Sequence, residues 1–156
     1  MVLELADWRF EVDISATEIR TRNNSLDHCT CGYCKNYYET VSSEYPQLIT
    51  FLQQFGVDYM GPSEIMPFEP TLILACYRIQ GQILQFGVEP VFAGKIPISI
   101  ETADDSSFFL WVGEMILPWC QEEPEEEVVS PANLPEFLQR MEEIWLLRHG
   151  DQMIQC

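Results

Sequence analysis

Three cysteines and a histidine crowd into His28-Cys29-Thr30-Cys31-Gly32-Tyr33-Cys34. Thiolate sulfur and imidazole nitrogen are the ligands zinc prefers, and a structural zinc takes four of them in a tetrahedron. Cys29, Cys31, Cys34 and His28 are therefore the candidate metal ligands, with zinc the expected ion. A complete set from so short a loop is strained, because neighbouring His28 and Cys29 point apart. Cys76, Cys120, His149 and Cys156 are alternative sources of a fourth ligand. A second Cys-x-x-Cys or His-x-x-x-His pair, the other half of a typical finger, is absent.

The same residues also support redox chemistry. A cysteine at a helix N-terminus has its thiolate stabilised by the helix dipole and becomes a better nucleophile at neutral pH. Cys31-Gly32-Tyr33-Cys34-Lys35 resembles the Cys-x-x-Cys of thioredoxin-like enzymes, and Pro70-Thr71-Leu72-Ile73-Leu74 is similar to the proline and strand that face the thiols there. The resemblance implies a thiol-disulfide oxidoreductase with Cys31 attacking and Cys34 resolving. That family also has a buried strand just before the motif and another between motif and proline. Here residues 21–30 are polar and 53–69 show no strand pattern. A third reading is a packed loop of inert thiols, since cysteine often behaves as a small apolar group. The stretch His28 to Glu39, with Asn36-Tyr37 inside it, resembles a Cys-x-Cys-x-x-Cys-x-Asn-Tyr segment of small uncharacterised bacterial proteins. That resemblance implies no activity.

Other candidates read as structure. His149 sits where a helix C-terminus favours positive charge, and nothing near it forms a triad. Glu122, Glu123, Glu125, Glu126 and Glu127 lack the spacing of a calcium loop and read as a solvated face. Trp8, Trp111, Trp119 and Trp145 fall at strand or helix spacing and read as core. No Gly-rich phosphate loop, Gly-x-Ser-x-Gly or His-Glu-x-x-His is present, and no catalytic residue is assigned.

The elements that must hold the cluster follow from periodicity. Trp8, Phe10, Val12 and Ile14 alternate with polar residues, which predicts a half-buried strand. Residues 21–27, with Asn23-Asn24-Ser25, read as a loop. Tyr37, Tyr38, Val41 and Tyr45 predict a helix after the cysteines, and Pro46 opens a second one with Leu48, Ile49, Leu52 and Phe55 inward. Residues 61–70 hold Pro62, Pro67 and Pro70 and read as a connecting loop. Leu72 to Ile79 is a strand, Gln80-Gly81 a tight turn, and Gln82 to Val88 a further strand. Ile96, Ile98 and Ile100 alternate, with Pro97 favouring an edge. Asp104-Asp105-Ser106 turns the chain into a strand over Phe108 to Leu117. Asn133 and Glu136 form a capping box for a final helix carrying Leu134, Phe137, Leu138, Met141, Ile144 and Trp145 inward. The expected core is Trp8, Phe10, Val12, Leu48, Leu52, Leu72, Leu74, Phe108, Leu110, Phe137 and Met141.

This pattern predicts an α+β fold: one antiparallel sheet of about five strands with helices packed on one face. The 156 residues suffice for one domain, 1–156, with a real core. There are 25 acidic against 8 basic residues, a net charge of −17. Nucleic acid and anionic membrane are repelled by such a chain, so neither is expected as a partner, while a basic protein is. Met1 to Asp7 lacks the basic and apolar stretches of a secretory signal, and six cysteines without one suit a reducing, cytoplasmic setting. The expected role is a soluble acidic binding or structural protein with a Cys-rich zinc site. A thiol-disulfide oxidoreductase is the alternative.

Overall fold

The computed structural model describes residues 1–26, 29–69 and 71–121. The acidic run from Glu122, the final helix with Phe137 and Met141, and His28, His149 and Cys156 all lie outside the described residues.

The chain opens with a hairpin of β1 (Val2–Leu5) and β2 (Trp8–Val12), joined by the two-residue turn Ala6-Asp7. Phe10 and Val12 are buried and Arg9 and Glu11 exposed, as the period-2 alternation requires. The Asp7 carboxylate accepts the backbone N–H groups of Val88 and Glu89, at 2.8 and 3.1 Å, and those bonds tie this turn to a distant loop.

Helix α1 (Ile14–Leu26) takes in Ile14, expected at the end of the first strand, and residues 21–26 of the expected polar loop. Asp13 caps it, its Oδ1 accepting from the Ala16 N–H at 3.0 Å. Its inward face is built from hydroxyls instead of an apolar stripe. Thr17 and Thr21 are fully buried. Thr17 Oγ1 accepts from the Gln80 N–H at 3.0 Å, and Thr21 Oγ1 accepts from the Asp58 N–H at 2.9 Å while donating to the Thr17 carbonyl. Helix α2 (Gly32–Glu44) and helix α3 (Pro46–Gln53) fall where periodicity places them, with Pro46 in the first turn of α3. Gly56, at φ 80°, closes that region, where a Cβ would lie 2.5 Å from the Ile14 carbonyl oxygen.

Five strands follow: β3 (Glu64–Glu69), β4 (Leu72–Gln85), β5 (Val91–Ala93), β6 (Ile96–Asp104) and β7 (Ser107–Ile116). Among the described residues the sheet has seven strands instead of about five, in the order β1-β2-β4-β7-β6-β5, with β3 also on β4. Every pairing is antiparallel. The proline-rich stretch over 61–70 contains β3, which among the described residues pairs only with β4 and so tolerates Pro67 on its outer side. Pro97 sits in β6 where only β5 is its neighbour, before pairing with β7 begins at Ile98.

Gln80-Gly81 is not a turn. β4 runs straight through it for 14 residues. Gly81 is where β4 changes partners: residues 72–80 pair with β7 and residues 81–85 with β2. A Cβ there would lie 2.1 Å from the Glu11 carbonyl oxygen, so glycine marks a close backbone approach.

The main core lies on one face of the sheet, between it and the helices. Phe10, Val12, Leu48, Leu52, Phe108 and Leu110 are in it, and Trp8 packs at its margin. Phe10 stacks on Phe108 at 5.2 Å between centroids and meets Phe55 edge-on at 5.7 Å. Leu72 and Leu74 are not in it. Ile73, Ala75, Tyr77 and Ile79 are the inward set of β4, while Leu74 joins Met66, Cys76, Trp111 and Phe109 in a smaller cluster. A run apolar at both parities hides which side faces the larger core.

Candidate metal centre

The cysteines are placed by the start of α2. Cys31 is its N-cap, at φ −66° and ψ 163°, and its carbonyl accepts the first helical bond from the Lys35 N–H at 3.0 Å. The turn brings Cys29, Cys31 and Cys34 together, all three sulfurs within 4.8 Å of one another. Zinc–sulfur bonds of about 2.3 Å in a tetrahedron put sulfurs about 3.8 Å apart, so small side-chain rotations bring this triangle to ligating size. The Cys31 N–H donates to Cys29 Sγ at 3.4 Å. Burial pushes the Cys31 thiol above its usual range, partly opposed by the N–H groups of Cys34 and Tyr33 that face it. Burial, and then the nearby Cys29 and Cys31, raise the Tyr38 phenol to about 12.

Cys34 is fully buried. It is disulfide-bonded. Cys76 lies in the smaller cluster with Met66 and Trp111, away from the triangle. His28 lies outside the described residues. The structure thus brings together three of the four ligand candidates.

The segment following β7 is clamped against the cluster by Asn36. This buried side chain donates Nδ2 to the Pro118 carbonyl at 3.0 Å and accepts the Cys120 N–H on Oδ1 at 2.8 Å. An amide meets both needs because it carries a donor and an acceptor. The Trp119 ring then packs over Gly32, 3.3 Å from where a Cβ would be, and edge-on to Tyr33 at 5.7 Å. Cys120 is exposed, and its thiol points to Glu39 Oε2 at 3.6 Å. Cys31, Lys35, Glu39 and Cys120 line a polar groove of about 530 Å³ with Thr30, Gly32 and Gln121.

No protein-family model matches the chain, and no curated protein or solved structure matches it. Among the described helices, none is long and apolar enough to cross a membrane.

The sequence reading held Asn36 only as one letter of a local pattern. An amide inside an otherwise apolar helical face was the available signal, because a buried amide must find partners. Cys120 is among the alternative ligands read from sequence, but its meeting with Glu39, 81 residues away, carries no sequence signal.

Proposed function

We propose that this is an acidic binding or structural protein whose α2 N-terminus is held by zinc on Cys29, Cys31 and Cys34. The observation that supports the reading is the triangle of sulfurs within 4.8 Å of one another at one helix start. Soft sulfur donors select zinc over magnesium or calcium. Zinc needs all three as thiolates, so the metal-bound form is the one in which Cys34 is reduced. The fourth position is filled by His28, a more distant side chain or water. The raised Cys31 thiol weighs against a nucleophile at neutral pH, which calls for a lowered one.

Elemental analysis of protein purified in reductant tests this. One zinc per chain, with three thiols shielded from alkylation until a chelator is added and the metal lost in Cys34→Ser, is the expected result. A metal-free protein that takes up no added zinc sinks the proposal.

One observation favours a second reading. The Cys34 sulfur is in a disulfide while the Cys31 sulfur lies within 4.8 Å of it. Thiol-disulfide exchange joins these facts. An external dithiol first reduces the Cys34 disulfide, itself becoming a disulfide, which frees the Cys34 thiol; the Cys31 thiolate then attacks a substrate disulfide and displaces one substrate thiolate. Cys34 then attacks the Cys31 sulfur, releasing the second thiolate and leaving a Cys31–Cys34 disulfide for an external dithiol to reduce. Dithiol-dependent reduction of a protein disulfide, abolished in Cys31→Ser, marks this outcome.

A further inference from the structure

The sheet treats its edges unequally. β1 carries the exposed Glu4, β3 carries Pro67 and Glu69, and β5 is three residues long. Charges, proline and brevity all discourage another strand from pairing. The far end of β4 has none of these. Beyond Gln80 its pairing with β7 stops, and Gln82-Ile83-Leu84-Gln85 keeps β2 on one side with no described strand on the other. The β6–β7 turn meets β4 at the start of this stretch, through the Gly81 N–H on the Ser106 carbonyl at 2.8 Å and the Gln82 amide on the Asp105 carbonyl at 3.0 Å.

The open stretch borders a cleft of about 260 Å³ with Ile83, Phe86 and Phe108 on its apolar side and Asp104 and Asp105 among its polar lining. Phe86 is 64% exposed, and Leu84 and Val88 beside it are 48% and 94% exposed. Asp104 is engaged by Arg78 and by Ser106 and Ser107. The Asp105 carboxylate has no hydrogen bond or ion pair with another described residue. An uncharged strand edge, an apolar cleft and an uncommitted carboxylate therefore coincide.

We propose that residues 82–85 of β4 are a docking edge for an extended, basic segment of another protein. An added strand would take the ladder position that β7 leaves empty. An apolar side chain would fill the cleft against Phe86 and Phe108, and a lysine or arginine would reach Asp105. Charge complementarity selects a basic occupant, because the chain carries −17 overall. It disfavours a second copy, which would bring the same net charge and its own Asp105 to the edge.

The test uses the full chain, isotopically labelled, and a short peptide of alternating lysine and valine, with its glutamate-for-lysine counterpart as control. The expected result is amide shifts concentrated at residues 82–86 and 105–108 with the lysine peptide alone, weakening as salt rises. Phe86→Ser and Asp105→Asn, both at exposed positions, should each weaken binding about tenfold. Absence of binding, shifts centred elsewhere, or affinity unchanged in Phe86→Ser overturns the proposal. So does sedimentation showing a dimer that Phe86→Ser dissociates, since the occupant is then this chain itself.

Discussion

The phenols of Tyr37 and Tyr77 meet in the core at 2.5 Å between oxygens, both side chains fully buried. Tyr77 donates onward to the Tyr59 carbonyl at 2.5 Å, so Tyr37 is the donor to Tyr77. Two hydroxyls and a carbonyl thereby satisfy one another across α2, β4 and the loop after α3. Tyr77→Phe strands both neighbours and should cost about 1–3 kcal/mol in urea unfolding. Tyr37→Phe leaves the Tyr77–Tyr59 bond intact and should cost less. The double mutant should fall short of the sum, and strict additivity would show the pair does not act as a unit.

These phenols also set an alkaline limit. Burial raises Tyr37 and Tyr77 above the ordinary range and Tyr38 to about 12. In the unfolded chain tyrosines ionise near about 10. The folded state holds them neutral, so their contribution is intact below about pH 10 and is lost as pH rises toward and through the folded values. Stability measured from pH 8 to 12 should fall above about pH 10, and Tyr38→Phe should flatten the slope.

Asp104 sets the opposite limit. The Ser106 N–H and the Ser107 hydroxyl, with Arg78 adding a smaller share, hold its carboxyl down at about 2. An unfolded aspartate titrates near about 3.9. The stabilising form is the carboxylate, complete above that value and lost as pH falls through about 2. Carboxyl carbon shifts followed to low pH should show Asp104 titrating near about 2, below the ordinary aspartate range, and Ser107→Ala should move it upward.

Asn36→Ala should release residues 118–120 from α2. Two half-buried hydrogen bonds are lost, each worth about 0.5–1.5 kcal/mol, and the Pro118 carbonyl and Cys120 N–H must find water. Trp119 would lose its seat on Gly32 and Tyr33. A red-shifted tryptophan emission with faster alkylation of Cys120 is the expected signature. Asn36→Asp keeps the acceptor and should retain part of the native spectrum.

Zinc uptake should require reductant and weaken as pH drops, because each ligand must shed its proton. The slope counts the protons released, about one for each thiol that is protonated in the metal-free protein. Zinc affinity determined by chelator competition from pH 6 to 8, flat across that range, would point to ligands other than these thiols.

Where apolar periodicity carries the fold, sequence was enough: α2, α3, β6 and the long apolar run of β7 lie where their spacing puts them. It misread α1, taking residues 21–27 as a loop, because the buried Thr17 and Thr21 accept their long-range hydrogen bonds from Gln80 and Asp58 far along the chain. It misled at Gly81, because glycine marks either a turn or a close approach and only the Glu11 carbonyl decides which. Gly81→Ala should therefore push β2 from β4 and destabilise the protein well beyond a helix-propensity effect of about 1 kcal/mol. Within the site, the gathering of Cys29, Cys31 and Cys34 was legible from local spacing, whereas the Asn36 clamp needed the return of residues 118–120.

The partner change along β4 has a consequence for how this chain comes off the ribosome. Phe10 in the first hairpin pairs with Ile83 and stacks on Phe108. The hairpin thus precedes both partners along the chain and cannot be sheltered until β4 and β7 have emerged, so the nascent chain carries an exposed aromatic surface over the interval between Phe10 and Phe108. Such long-range closure slows folding and leaves time for misassociation. Truncations ending before β7 should bind hydrophobic dyes and recruit chaperones, and the property should vanish once Phe108 and Leu110 are free of the exit tunnel.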